Sequence, residues 1–138
     1  MSLTWTNPRN VEVRPGVCFL YFIRVVDPDS GREYTYIGQS RTGANPLGAY
    51  DRNVERIRNG LPRRKTSGQE RYRAVHLALA KACEQAWPCE FYPLENVEPE
   101  HLNRRKRECI VELASNLNAG HSWPVADFSA LSIADVLT

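Results

Sequence analysis

A chain of 138 residues with 42% hydrophobic and 25% charged residues has the composition of a soluble globular protein. That excludes disordered and fibrous classes and suits one domain with its own core. The formal net charge is only +2, no stretch reaches the roughly 18 apolar residues of a membrane span, and "MSLTWTNPRN" has no secretory-type apolar core. A cytoplasmic protein without a membrane partner is expected.

Residues 1–15 mix Thr, Asn, Pro and Arg without a period and read as an irregular arm. "GVCFLYFIRVV", Gly16 to Val26, is almost wholly apolar and rich in β-branched and aromatic residues, which predicts a buried strand. "DPDSG" is turn chemistry. "REYTYIG" predicts a returning strand that breaks at Gly38, so residues 16–38 read as an antiparallel hairpin. "TGANPLG" reads as a loop, and Leu47 to Asn59 as a helix stopped by Gly60 and Pro62. "GLPRRKTSGQ" is a basic connection.

The segment "ERYRAVHLALAKACEQAW" carries Val75, Leu77, Leu79, Ala82 and Cys83 at helical spacing and ends before Pro88. "CEFYPLENV" predicts a third strand with Pro93 at an edge or bulge. Pro99 to Ser115 predicts a helix with Leu102, Cys109, Ile110 and Leu113 toward the core, stopped by "NLNAG". The tail 121–138 has a modest amphipathic end suited to packing on the domain or a partner. The order β, β, α, α, β, α predicts an α+β domain, a short antiparallel sheet flanked by helices.

Cys18, Cys83, Cys89 and Cys109 form no CxxC and no Cys/His finger spacing, so they read as buried thiols rather than a zinc site. His76, His101 and His121 show no metal spacing and read as structural or surface residues. The basic residues, by contrast, are clustered: Arg52, Arg56, Arg58, Arg63, Arg64, Lys65, Arg71 and Arg73 form one group, and "RRKR" at Arg104 to Arg107 another. Such local positive fields suit a polyanion even when the whole chain is near neutral.

"FLYFI" (Phe19 to Ile23), "YIG" (Tyr36 to Gly38), a following helical arginine and a glutamate-bearing helix closed by an asparagine together resemble the GIY-YIG nuclease family, over about residues 16–120. The second motif matches letter for letter, and the first in its tyrosine and hydrophobic pattern. The resemblance implies a three-stranded antiparallel sheet flanked by helices and a DNA endonuclease using Mg²⁺, with Mn²⁺ as an alternative. It implies Tyr21 and Tyr36 as the paired tyrosines, Arg52 as the catalytic arginine, Glu108 as the metal ligand and Asn118 as the late asparagine. Cys18 competes with Tyr21 for the first motif, Arg56 with Arg52, and Glu112 with Glu108. Arg56 stands where many members have a histidine, and a guanidinium is no base.

Residue chemistry agrees with these roles. Mg²⁺ often takes only one or two carboxylates, so one glutamate can suffice. An arginine fork matches phosphate oxygens. A tyrosine is only about 0.1% ionised at neutral pH, so Tyr21 acts as a base only if a metal-bound water or neighbouring cations ease its proton away. Gly38, Gln39 and Ser40 are expected to open a phosphate-facing loop, with Arg63, Arg64 and Lys65 on the backbone. Specificity would come from loops, a homodimer or a protein partner. Two rival functions remain: a nucleic-acid-binding module on the same fold without catalysis, and a partner-docking protein whose basic helices are merely solvated.

Overall fold

The structure is a computed structural model that describes residues 4–64, 71–118, 122–124 and 132–133. In chain order the elements are β1 (Thr4–Trp5), β2 (Phe19–Val26), β3 (Glu33–Ser40), α1 (Leu47–Arg58), β4 (Tyr72–Arg73), α2 (Ala74–Gln85), β5 (Cys89–Asn96), a 3-10 turn (Pro99–His101), α3 (Leu102–Glu112) and β6 (Ser122–Trp123). The α+β class holds and the six expected elements occur in the expected order, with three two-residue strands, β1, β4 and β6, in addition. No described helix is long and apolar enough to cross a membrane.

The sheet differs from the expected three antiparallel strands. It has four, in the order β1-β5-β2-β3, and β1 runs parallel to β5. Within the arm read as irregular, Thr4 and Trp5 pair with Glu90 and Phe91, and the Trp5 ring stacks on Phe91 at 4.8 Å. Two residues are too few to show a period of two, so burial of the indole fixes this strand and local pattern does not. Pro93 marks the expected bulge: Leu20 faces Glu95 and Tyr21 faces Pro93, leaving one residue of β5 extra.

β3 also corrects the reading. It does not break at Gly38 but continues to Ser40, pairing Gly38 with Tyr21, Gln39 with Leu20 and Ser40 with Phe19. A glycine sits inside a strand here because the Tyr21 ring lies across it. A Cβ built on Gly38 would stand 2.1 Å from Tyr21 Cζ, where only a hydrogen fits.

Strand alternation divides the core into two layers. Phe19, Tyr21, Ile23, Val25, Tyr34, Tyr36 and Phe91 face α1 and α2, which bury Tyr50, Val54, Ile57, Leu77 and Leu79 against them. Leu20, Phe22, Ile37 and Leu94 face α3, which buries Leu102 and Cys109. Leu113, expected in the core, is 40% exposed, because α3 ends at Glu112 and Ala114 turns the chain at positive φ. In the tail, Ile133 is buried in the first of these layers.

The free edge of β3 is closed by the segment after α3. Asn116 Oδ1 accepts from the Thr35 N–H at 2.8 Å, and Asn118 Oδ1 from the Ile37 N–H at 3.0 Å. The Leu117 N–H donates to the Thr35 carbonyl and Asn118 Nδ2 to the Ile37 carbonyl, each at 2.8 Å. "SNLN" thus serves as a partner for a strand edge that would otherwise invite another chain.

Candidate phosphate-binding site

The chemistry-bearing residues gather on the α1/α2 face of the sheet. Tyr21 and Tyr36 sit on adjacent strands with ring centroids 6.4 Å apart. The Tyr21 hydroxyl shares a 2.7 Å hydrogen bond with the hydroxyl of Tyr50 on α1. Tyr21 also stacks on Phe91 at 5.0 Å, so its ring is held on both sides. Burial, then the neighbouring Tyr36, pushes the Tyr21 phenol above its ordinary range, and the bond from Tyr50 only partly offsets this. Tyr50 is raised as well, burial again the largest cause. Both phenols are neutral at neutral pH, which favours hydrogen-bonding roles over base chemistry.

Arg73, from the short strand before α2, extends Nη1 to the Tyr36 hydroxyl at 3.4 Å. Its strand β4 pairs with β6, where Arg71 holds the Ser122 carbonyl at 2.8 Å. His76, in the first turn of α2, is fully buried; its Nδ1 accepts from the Arg73 N–H at 3.2 Å, and its Nε2 lies 3.4 Å from Asn53 Nδ2. Burial, with Arg73 and Arg63 nearby, depresses its pKa from 6.5 to about 3.

A pH dependence follows. Below about pH 6.5 the unfolded chain takes up a proton at His76 that the folded chain refuses until about pH 3. This contribution is therefore complete above the unfolded value and is lost as pH falls, at up to about 1.4 kcal/mol per pH unit. Urea denaturation of wild type and His76→Gln between about pH 6.5 and 5, above the carboxylate range, is expected to show a shallower decline in the variant. Parallel declines would exclude His76 as the titrating group.

Beside this cluster lies a cleft of about 500 Å³ lined by Ala49, Arg52, Asn53, Arg56, Arg63 and Arg64. α1 buries Tyr50, Val54 and Ile57, which leaves Arg52 and Arg56, four residues apart, on another face. After α1 the chain reverses at Gly60, whose φ of +69° suits glycine. The Leu61 N–H donates to the Arg56 carbonyl and Arg56 Nε to the Pro62 carbonyl, each at 2.9 Å. The reversal brings Arg63 and Arg64 to Arg52 and Arg56. Burial, then Arg73 and Arg64, lowers the pKa of the Arg63 guanidinium. Among the described residues no carboxylate pairs with Arg52, Arg56, Arg63 or Arg73. Lys65 lies outside the described residues.

Other expected residues are elsewhere. Gln39 and Ser40 belong to β3 rather than a loop, and Ser40 Oγ donates to the Ala44 carbonyl at 2.8 Å. Asn118 is committed to the β3 edge by both ends of its amide. Glu108 lies in a surface ion cluster, with Oε1 3.5 Å from Arg104 and Oε2 3.1 Å from Arg105, and Arg105 also grips Glu95 and Glu112. At about 100° per residue, Glu108 is turned some 120° from buried Leu102, toward β5, whereas Lys106 is turned only about 40° the other way. It is Lys106 whose Nζ stands over the Tyr36 ring, 5.9 Å from its centroid.

These residues do not fit a metal at the tyrosine pair. The expected ligand has both oxygens engaged by arginines, and the α3 residue facing Tyr36 is a cation. No group of three or more His, Cys, Asp or Glu among the described residues is placed to hold a metal ion. The described cysteines are free thiols.

The sequence offers Arg73 and Lys106 only as members of its two basic clusters, and Tyr50 and Asn116 are not among its candidates. Tyr50 was open to detection, since with Val54 and Ile57 it makes an i, i+4, i+7 stripe. Comparison of the chain with protein-family models, with curated proteins and with solved structures finds no match.

Proposed function

We propose that this chain binds DNA through the phosphate backbone. One observation carries the reading: Arg52, Arg56, Arg63 and Arg64 line a single cleft. Like charges gathered without a carboxylate for Arg52, Arg56 or Arg63 among the described residues repel one another in the free protein. A polyanion relieves that repulsion and releases its own counterions on binding. Guanidinium forks match phosphate oxygens in pairs, which suits arginine better than lysine at such a cleft.

A second reading is phosphodiester hydrolysis on a GIY-YIG-like fold. It is favoured by the motif order and by the Tyr21/Tyr36 pair at 6.4 Å with Arg73 on the Tyr36 hydroxyl. The binding reading stands first because the paired state of Glu108 and the buried, neutral Tyr21 leave hydrolysis without a metal carboxylate or a base. Incubating the protein with supercoiled plasmid in Mg²⁺ and in EDTA, beside a gel-shift titration, separates the two. Salt-sensitive shifts with intact plasmid are expected. Nicking that EDTA abolishes would establish the second reading, and the absence of any shift would reject both.

A further inference from the structure

Around Tyr36 the positive charge belongs to the protein itself. Lys106 Nζ stands 5.9 Å from the ring centroid, and Arg73 Nη1 lies 3.4 Å from the hydroxyl. Arg63, from the cleft, is close enough to feel both Arg73 and Tyr36. The three cations come from three places in the chain: the connection after α1, the strand before α2, and α3. None has a carboxylate partner among the described residues. The two glutamates that follow Lys106 on α3, Glu108 and Glu112, are held by Arg105 on the β5 side.

A divalent cation entering here would meet the ammonium of Lys106 and the guanidinium of Arg73 within the field of Arg63, whereas a phosphate would meet two donors of the right sign. We propose that phosphate recognition at the Tyr36 edge is metal-independent, with Lys106 and Arg73 supplying the counter-charge that a divalent ion would otherwise bring. The field of Arg63 in the α1 cleft reaches Arg73 and Tyr36, and with the Tyr36 ring itself buried the backbone leaving that cleft would meet Arg73 and then Lys106 on α3. The inference rests on reading this chain as a DNA-backbone binder and adds that α3 takes part and that no metal is needed. No bond is made or broken in it.

The test is fluorescence anisotropy of a short duplex oligonucleotide with the full chain, in Mg²⁺ and in EDTA at matched ionic strength. Equal affinities to within about twofold are expected, since direct cation contacts depend on ionic strength rather than on a specific ion. Lys106→Ala is expected to bind more weakly and to lower the slope of log K against log salt by about 0.9, the share of one duplex phosphate. Lys106→Arg should stay near wild type and Lys106→Glu should be weaker than Lys106→Ala. Circular dichroism on each variant shows whether α3 is intact, and Lys106→Gln, which removes the charge and keeps the length, carries the test if the alanine variant unfolds. Wild-type binding that needs Mg²⁺ would overturn the proposal. So would Lys106→Ala with wild-type affinity and slope while Arg63→Ala/Arg64→Ala loses both, an outcome that leaves the cleft reading standing. If neither variant changes binding, the cleft reading fails and this inference fails with it, whereas wild-type protein that does not bind the duplex rejects the DNA-binding reading itself.

Discussion

Gly38→Ala is expected to be among the most destabilising single substitutions in the chain, costing at least about 3 kcal/mol, the upper part of the range for overpacking a filled core. The new methyl carbon would lie 2.1 Å from Tyr21 Cζ, 2.3 Å from Cε2 and 2.3 Å from the hydroxyl oxygen. The ring cannot swing aside cheaply. Phe91 stacks on it at 5.0 Å, Tyr50 holds its hydroxyl at 2.7 Å, and Tyr21 is only 5% exposed. For a chain of this size such a loss lowers the melting temperature by about 6–12 °C. The same geometry predicts non-additivity. Tyr21→Leu removes the ring that the methyl would strike, so Gly38→Ala should cost much less in that background, with a coupling of about 1–3 kcal/mol by double-mutant cycle. Strict additivity would mean that the glycine is needed for a reason other than the ring.

The "YIG" stretch shows how far local pattern reaches. Alternation correctly places Tyr34 and Tyr36 on one face of a strand, and turn chemistry at Asp27 to Gly31 correctly joins it to β2. By local pattern the glycine is a stop, because glycine usually is one. What keeps the strand going is a ring from a residue 17 positions earlier, a contact visible only once the β2/β3 register is known. β1 is similar: its two residues are ordered by Trp5 on Phe91, a contact across most of the chain.

α3 teaches a different lesson, because there the sequence did hold the information. Leu102 and Cys109, seven residues apart, mark the buried stripe, and Glu108 falls well to one side of it while Lys106 borders it. Motif order points to Glu108, whereas the helix's own phase points to Lys106. Arg73 is legible as a member of the basic cluster, but its place at the Tyr36 hydroxyl is not, since it sits on a strand that pairs with β6 near the far end of the chain. The arginine cleft was legible as a cluster along the sequence, but its closure needs the reversal at Gly60 and the Arg56 to Pro62 bond.

Removing the four cleft arginines is expected to have the largest effect on binding. Arg52, Arg56, Arg63 and Arg64 line one cavity, and each guanidinium that contacts a duplex phosphate contributes about 0.9 to the magnitude of the salt slope. The alanine variant of all four should therefore lose up to about 3.6 from that slope. Each contact is worth a factor of roughly 3 to 4 in affinity between 50 and 200 mM salt, so four together change binding by about a hundredfold across that range. Folding should survive, because Arg52 is exposed and Arg56, Arg63 and Arg64 are at most half-buried, while the core of α1 rests on Tyr50, Val54 and Ile57. Arg56 also has a structural role, its Nε donating to the Pro62 carbonyl. A variant that keeps Arg56 and changes only the other three isolates the charge effect, with an expected loss of about 2.7 in slope.

The most direct test of the cleft as a phosphate site is the slope of log K against log salt for duplex DNA, measured on wild type and on Arg52→Ala/Arg63→Ala/Arg64→Ala under the same conditions. A steep wild-type slope that falls by nearly three units in the variant, with far-UV circular dichroism unchanged, is the predicted result. Wild-type protein that does not bind DNA, or two slopes that coincide, would contradict it.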